Sequence, residues 1–154
     1  MMVLILGCGN PDRSDDAAGL LVARRLRDLG IDAHEHRGES LALVEEWTGG
    51  EEVILVDAIM SGAPCGSVRV WDASRDRLPP DLFPCSTHAL GVAEAVELAR
   101  ALGRLPARLT IYGIEAARFE PGGAVSPEVL DAVERVSRRI AAQFTCVLAA
   151  SPAE

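Results

Sequence analysis

Asp15, Asp16, Asp57 and His88 are the side chains whose types and settings could carry chemistry in this chain. Asp15 and Asp16 lie in the stretch GCGNPDRSDDAAG, Gly7–Gly19, where an apolar strand ends in a glycine-bearing turn and a helix is due to begin. Asp57 closes VILVD, the most apolar run of the chain. His88 lies in CSTHALG, Cys85–Gly91, at the expected start of another helix. Two carboxylates and an imidazole form an O,O,N donor set that suits a borderline divalent ion such as nickel or zinc. Three protein donors leave one position open for water or a substrate atom, as in catalytic metal sites.

Each residue also has a plainer reading. Acidic groups in a first helical turn favour the helix dipole, and Asp15 needs no other role once Ser14 is taken as the N-cap. Adjacent helical residues point about 100° apart, so if one aspartate faces solvent the other faces the sheet edge. Asp57 could cap the turn that follows it. His88 could be a packed or capping histidine, although a helix N-terminus favours the neutral imidazole that binds metals. His34 and His36 form an HxH pair that could also hold a metal, but they read better as exposed strand or loop residues.

The first turn raises a nucleotide reading. A dinucleotide fingerprint needs GxGxxG, and here Asp12 takes the place of the third glycine. A pyrophosphate would face Asp12, Asp15 and Asp16, more repulsion than a helix dipole returns. No HExxH or GxSxG pattern is present. All 15 basic residues are arginine, which excludes mechanisms that need a lysine.

These residues must be positioned by a scaffold, and the hydrophobic pattern supplies one. Strands are expected at Met2–Leu6, Asp32–His36, Val53–Val56, Ser67–Trp71 and Leu109–Gly113. Helices are expected at Asp16–Leu29, Leu41–Trp47, Ala89–Leu102 (capped by Gly103) and Ser126–Ala142, with Ser126 as N-cap and Pro127 at the first helical position. Ser74–Cys85, with three prolines, reads as a surface loop. The alternation implies an α/β three-layer sandwich, a mostly parallel twisted sheet of about five strands with helices on both faces. Ser67–Trp71 follows too closely on its predecessor for a helical crossover and is expected to be antiparallel, making the sheet mixed. Ligands in such folds sit at the carboxyl ends of the strands. That rule selects Asp16, Asp57 and His88.

With 154 residues, one domain over 1–150 and a frayed tail at 151–154 are expected. A net charge of −8 argues against nucleic acid and anionic membranes as partners. No apolar run reaches membrane-spanning length, and MMVLILG lacks a basic leader, so a cytoplasmic location is expected. Cys8, Cys65, Cys85 and Cys146 show no CxxC spacing and are expected to be reduced.

The segments LGCGNPDRSDDAAG, ILVDA (Ile54–Ala58), STHALG (Ser86–Gly91) and YGIE (Tyr112–Glu115), in this order and spacing, resemble those of the [NiFe]-hydrogenase maturation proteases. The resemblance covers nearly the whole chain. It implies an endopeptidase, aspartic-type and metal-associated, that removes the C-terminal extension of a hydrogenase large-subunit precursor after nickel insertion. It implies that Asp16, Asp57 and His88 are the metal-engaging and catalytic residues. Nickel would be contacted in the precursor rather than held permanently, by a protein acting as a monomer. In the family the loop after the second strand is acidic and of Gly-Gly/Thr type. This chain has EHRGES, Glu35–Ser40, keeping Gly38 and adding His36 and Arg37. By resemblance that loop, with Gly38 and Arg37, is where the substrate is recognised, and Arg37 could meet a substrate carboxylate or Glu39. The alternatives are a nickel-binding accessory protein that does not cleave and, more weakly, a nucleotide-binding protein.

Overall fold

A computed structural model describes residues 3–79, 81–83 and 91–150, with 145–150 described for their backbone alone. Strand β1 (Val3–Cys8) leads through a single 3-10 turn (Ser14–Ala17) into helix α1 (Ala18–Asp28). Strand β2 (His34–His36), helix α2 (Ser40–Trp47), strand β3 (Glu52–Ile59) and strand β4 (Val68–Asp72) follow. Helix α3 (Val92–Leu102), strand β5 (Arg108–Glu115) and helix α4 (Pro127–Ala150) complete the order. The strands form one sheet in the order β2-β1-β3-β5-β4, parallel except for β4 against β5. The expected mixed α/β sheet of five strands is therefore present.

Alternation along the strands divides the core in two. Ile5, Ile54, Val56 and Ile114 point toward α1 and α4, packing with Val22, Leu26, Val133 and Val136. Leu6, Leu55, Ile59 and Ile111 point the other way, to Leu43 and Trp47 of α2 and Val96 and Ala99 of α3. Strands buried on both faces read as continuous apolar runs, which is what VILV is. On that parity Asp57 shares the α2–α3 side with Leu55 and Ile59.

Glycine sets how closely α1 approaches the sheet. A Cβ on Gly19 would lie 2.3 Å from the carbonyl oxygens of both Cys8 and Val56, and one on Gly7 would lie 2.0 Å from the Gly19 carbonyl. Of the glycines that suggested a phosphate cradle, Gly7 is thus consumed in helix–strand packing and Gly9 in the close approach of the Asp16 carbonyl.

Several boundaries differ from expectation. At their carboxyl ends β3 runs three residues further and β5 two, because Asp57–Ile59 pair in register with Gly113–Glu115. Asp57 therefore lies inside its strand instead of closing it. It is still the first residue of β3 beyond the pairing with β1, which ends at Gly7↔Val56. Helix α1 begins at Ala18, not Asp16, because the two aspartates occupy the 3-10 turn. Ser14 is not its cap; Arg13 precedes that turn and no side chain caps it. Helix α3 is described from Val92, with Gly91 preceding it and Gly103 at φ 66° ending it. The expected start at Ala89 lies outside the described residues.

Candidate active site

Asp57 emerges where β1 has ended, and the turn after β1 brings Asp16 beside it. The Asp57 residue is 9% exposed, and its Oδ1 accepts a 2.8 Å hydrogen bond from the Ala58 N–H. Burial, together with the charge of Asp16, pushes its carboxyl well above the usual carboxylate range. Asp16 is half-buried, and burial raises its carboxyl too, against the opposing influence of Arg13 and the Asn10 backbone. Cys8, at the end of β1, is a free and buried thiol; burial and then the charges of Asp57 and Asp16 raise it well above the ordinary thiol range. A raised thiol is a poor nucleophile, so Cys8 serves here as apolar packing. Cys65 is also free.

The turn carrying Asp16 has little freedom. Gly9, at φ 153°, would place a Cβ 2.0 Å from the Asp16 carbonyl oxygen. On the other side the turn is laced to the loop between β5 and α4. The Ser14 hydroxyl donates to the Glu120 carbonyl (2.8 Å), Asp15 N–H to the Arg118 carbonyl (3.1 Å) and Gly122 N–H to the Asp12 carbonyl (2.8 Å).

Asp15 departs furthest from its sequence reading. It is fully buried, and its carboxylate accepts four hydrogen bonds: from the N–H groups of Ala117 (2.9 Å), Arg118 (3.0 Å) and Ser126 (2.6 Å), and from the Ser126 hydroxyl (2.8 Å). Burial would raise this carboxyl, but these bonds outweigh it and hold the group below the usual range. Ser126, expected as a helix cap, spends its hydroxyl on Asp15 instead.

A second carboxylate went unselected by the strand-end rule. Glu115 ends β5, is 2% exposed, and accepts hydrogen bonds from Ser61 N–H and hydroxyl and from Gly62 N–H (2.8, 2.8 and 3.0 Å to its nearer oxygens). It fixes the loop leaving β3. The signal was present in YGIE, but the strand was expected to stop at Gly113.

The loop after β2 borders the same edge. An open cleft of about 200 Å³ is lined by Gly9, Pro11, Leu20, Glu35, His36 and Arg37. The His36 ring accepts at Nδ1 from the Gly38 N–H (2.8 Å), which places the proton of the neutral ring on Nε2. Burial lowers this histidine, against the charges of Glu46 and Glu39. Gly38 takes φ 84°, a backbone conformation that favours glycine. Glu35 is bridged by Arg24 and Arg27 of α1. Arg37 is exposed and forms no ion pair with Glu39 among the described residues.

The structure thus brings Asp16 and Asp57 together and places Arg37 at the adjoining cleft, with Gly38 next to it in the chain. His88 lies outside the described residues. Among the described residues, no three His, Cys, Asp or Glu side chains are grouped to hold a metal ion, the His34–His36 pair included. His34 instead approaches Asp32, at 3.5 Å. Also among the described residues, no helix is long and apolar enough to cross a membrane.

Known proteins share this arrangement of elements. The chain is 28% identical over 151 residues to the hydrogenase 2 maturation protease of Escherichia coli (strain K12), covering 92% of this chain and 90% of that one. It superposes on the [NiFe] hydrogenase maturation protease HybD from Thermococcus kodakarensis with a TM-score of 0.72 at 28% identity, covering 94% of this chain and 99% of that one. The fold also matches the hydrogenase maturating endopeptidase HybD from E. coli, with a TM-score of 0.74 at 22% identity over 94% of this chain and 93% of that one. Residues 38–143 match the family model HycI, hydrogenase maturation protease, and the chain belongs to that family of proteases.

Proposed function

We propose that this protein is the endopeptidase that removes the C-terminal extension of a [NiFe]-hydrogenase large-subunit precursor once nickel is in place, with Asp16, Asp57 and His88 as the residues that meet the metal. The observation that carries this reading is the Asp16–Asp57 pair. Two carboxylates share one edge of the sheet, each raised by burial, with Asp57 raised further by its neighbour's charge. Asp57 accepts from one backbone N–H and keeps further acceptor capacity in a setting where charge is costly. Such a pair fits a divalent cation, which relieves the repulsion between its members. His88 as third donor would complete a set suited to nickel.

A nickel ion arriving in the precursor would supply Lewis-acid polarisation of the scissile carbonyl or of a water. The chain's own residues do the rest. With its raised pKa, Asp57 is placed to take up a proton from the attacking water. The cleft beside it holds the substrate segment, with Gly38 and Arg37 as recognition residues. Since Glu35 is engaged by α1 arginines and Arg37 has no ion pair with Glu39, the Arg37 guanidinium is left for a substrate acceptor. The protein works on this soluble partner in the cytoplasm, as a monomer.

The test is an intact-mass assay with nickel-loaded and nickel-free precursor from the same source. Loss of a C-terminal peptide from the loaded form alone is expected. If no precursor is cleaved while the protein still binds nickel, the chain is instead a nickel-binding accessory protein.

A further inference from the structure

We infer that Asp15 is a positioning residue for Asp16: its carboxylate grips the loop between β5 and α4 and so fixes the turn that presents Asp16 to Asp57. This rests on the proposed role of the Asp16–Asp57 pair. Asp15 itself points away from that pair, into the backbone of residues 117–126, and takes no part in the chemistry.

Three observations carry the inference. First, the bonds to Asp15 converge on one turn. The carboxylate takes three backbone N–H groups and one hydroxyl from residues 102 to 111 positions away. They act on the residue directly before Asp16, so any shift of Asp15 moves the Asp16 Cα with it.

Second, the turn is not one the chain would hold unaided. It is a lone 3-10 turn of four residues, with no side-chain cap, and its first residue, Ser14, takes φ 51°. Non-glycine residues seldom adopt that left-handed conformation. The Ser14 hydroxyl bond to Glu120 and the contact of Gly123 with Ser14 place the restraint in the same distant loop.

Third, among the described residues the Asp16 carboxylate has little to hold it by itself. The Asn10 backbone and the charge of Arg13 are the influences that favour its charged form. Arg13 is in turn held by its Nε donating to the Phe119 carbonyl. The orientation of Asp16 is therefore inherited from its backbone and from loop 117–126. A carboxylate suits the task where an amide does not, because the Asp15 site offers donors to both oxygens. Asparagine would turn an NH₂ group toward an N–H donor.

The experiment compares Asp15→Asn and Ser126→Ala with the wild type and with Asp16→Asn, each well below its own melting temperature. With nickel-loaded precursor as substrate, Asp15→Asn is expected to lower kcat by about tenfold to a hundredfold with KM unchanged, the scale of a small misplacement. Ser126→Ala, which deletes one bond of the four, should fall between it and wild type. Carboxyl NMR titration supplies a second readout. Asp57 should titrate lower in Asp16→Asn, because a charge that raises it is gone, and should move in the same direction in Asp15→Asn. Folded variants with wild-type kcat and an unmoved Asp57 titration would overturn the inference and leave Asp15 as fold glue. If Asp15→Asn does not fold, Ser126→Ala decides. If wild type cleaves no precursor, the proposed function fails, and hydrogen exchange of the Asp16 amide in Ser126→Ala decides the positioning role: exchange as slow as in wild type would overturn it.

Discussion

Asp15 and Glu115 form one region of the carboxyl edge, and Asp16 and Asp57 form another. All four are acids on or beside strand ends. The first two are buried with their oxygens filled by backbone N–H groups and serine hydroxyls. The other two are desolvated with few partners among the described residues, and their carboxyls are raised. A buried carboxylate that is fully hydrogen-bonded is a fastening. One that is left short of donors and placed beside another carboxylate is poised to receive a cation or a proton. Burial alone therefore does not separate structure from function here; the count of donors does.

Exchanging acid for amide in the two regions should separate them, and the largest effect is expected at the poised pair. Asp57→Asn should lower kcat/KM for precursor processing by about a thousandfold or more, the scale of losing a positioned acid–base group or ligand. It should melt at or above the wild-type temperature, since a buried charge is removed. Lower stability in Asp57→Asn would show that its carboxylate is an undetected fastening.

The fastenings should answer in the opposite sense, through stability. Asp15→Asn leaves a donor facing a donor in a buried site and is expected to cost about 1–3 kcal/mol, read as a lower urea midpoint. Glu115→Gln should cost less, because the loop it holds, Ser61–Gly62, reaches the surface. Equal losses at both would mean that exposure of the held loop does not matter.

The smallest effect is on pH dependence, where the two regions pull in opposite directions. Asp57 and Asp16 have raised pKa values when folded, so their contribution is fully present below the unfolded carboxylate range and is lost as pH rises through the folded values. Asp15 is lowered, so its contribution is present above the unfolded value and is lost as pH falls through the folded one. Urea midpoints from about pH 3 to about pH 8 should thus rise on mild acidification and then fall. Asp57→Asn should remove much of the rise, and Asp15→Asn should weaken the fall.

Much of this was legible in the sequence. Runs such as VILV announce strands buried on both faces, and the strand-end rule then singles out Asp16 and Asp57. The segments resembling the maturation proteases point to the same residues. Asp15 was misjudged because its neighbours in sequence suggest a helix start, whereas its partners are Ala117, Arg118 and Ser126. Nothing local reports a bond made that far along the chain. Glu115 escaped because Gly113 looked like a strand end, and only pairing with β3 carries β5 two residues further. The GxG spacing reads against a phosphate cradle because of the aspartates around it, and packing adds a second reason: Gly19 of helix α1 fills the space at Gly7, and the Asp16 carbonyl fills that at Gly9.

The lacing of residues 12–15 to residues 117–126 also has a consequence in time. These contacts close a loop of about a hundred residues, the kind of pairing that forms late because its closure entropy must be met before any bond is made. A nascent chain with β1, α1 and even β3 in place still lacks every partner of Asp15 until Ala117 has been synthesised, and lacks the full set until Ser126 has. The corner that presents Asp16 is thus completed late in synthesis, and a chain truncated before Ala117 would carry Asp16 on an unsecured turn.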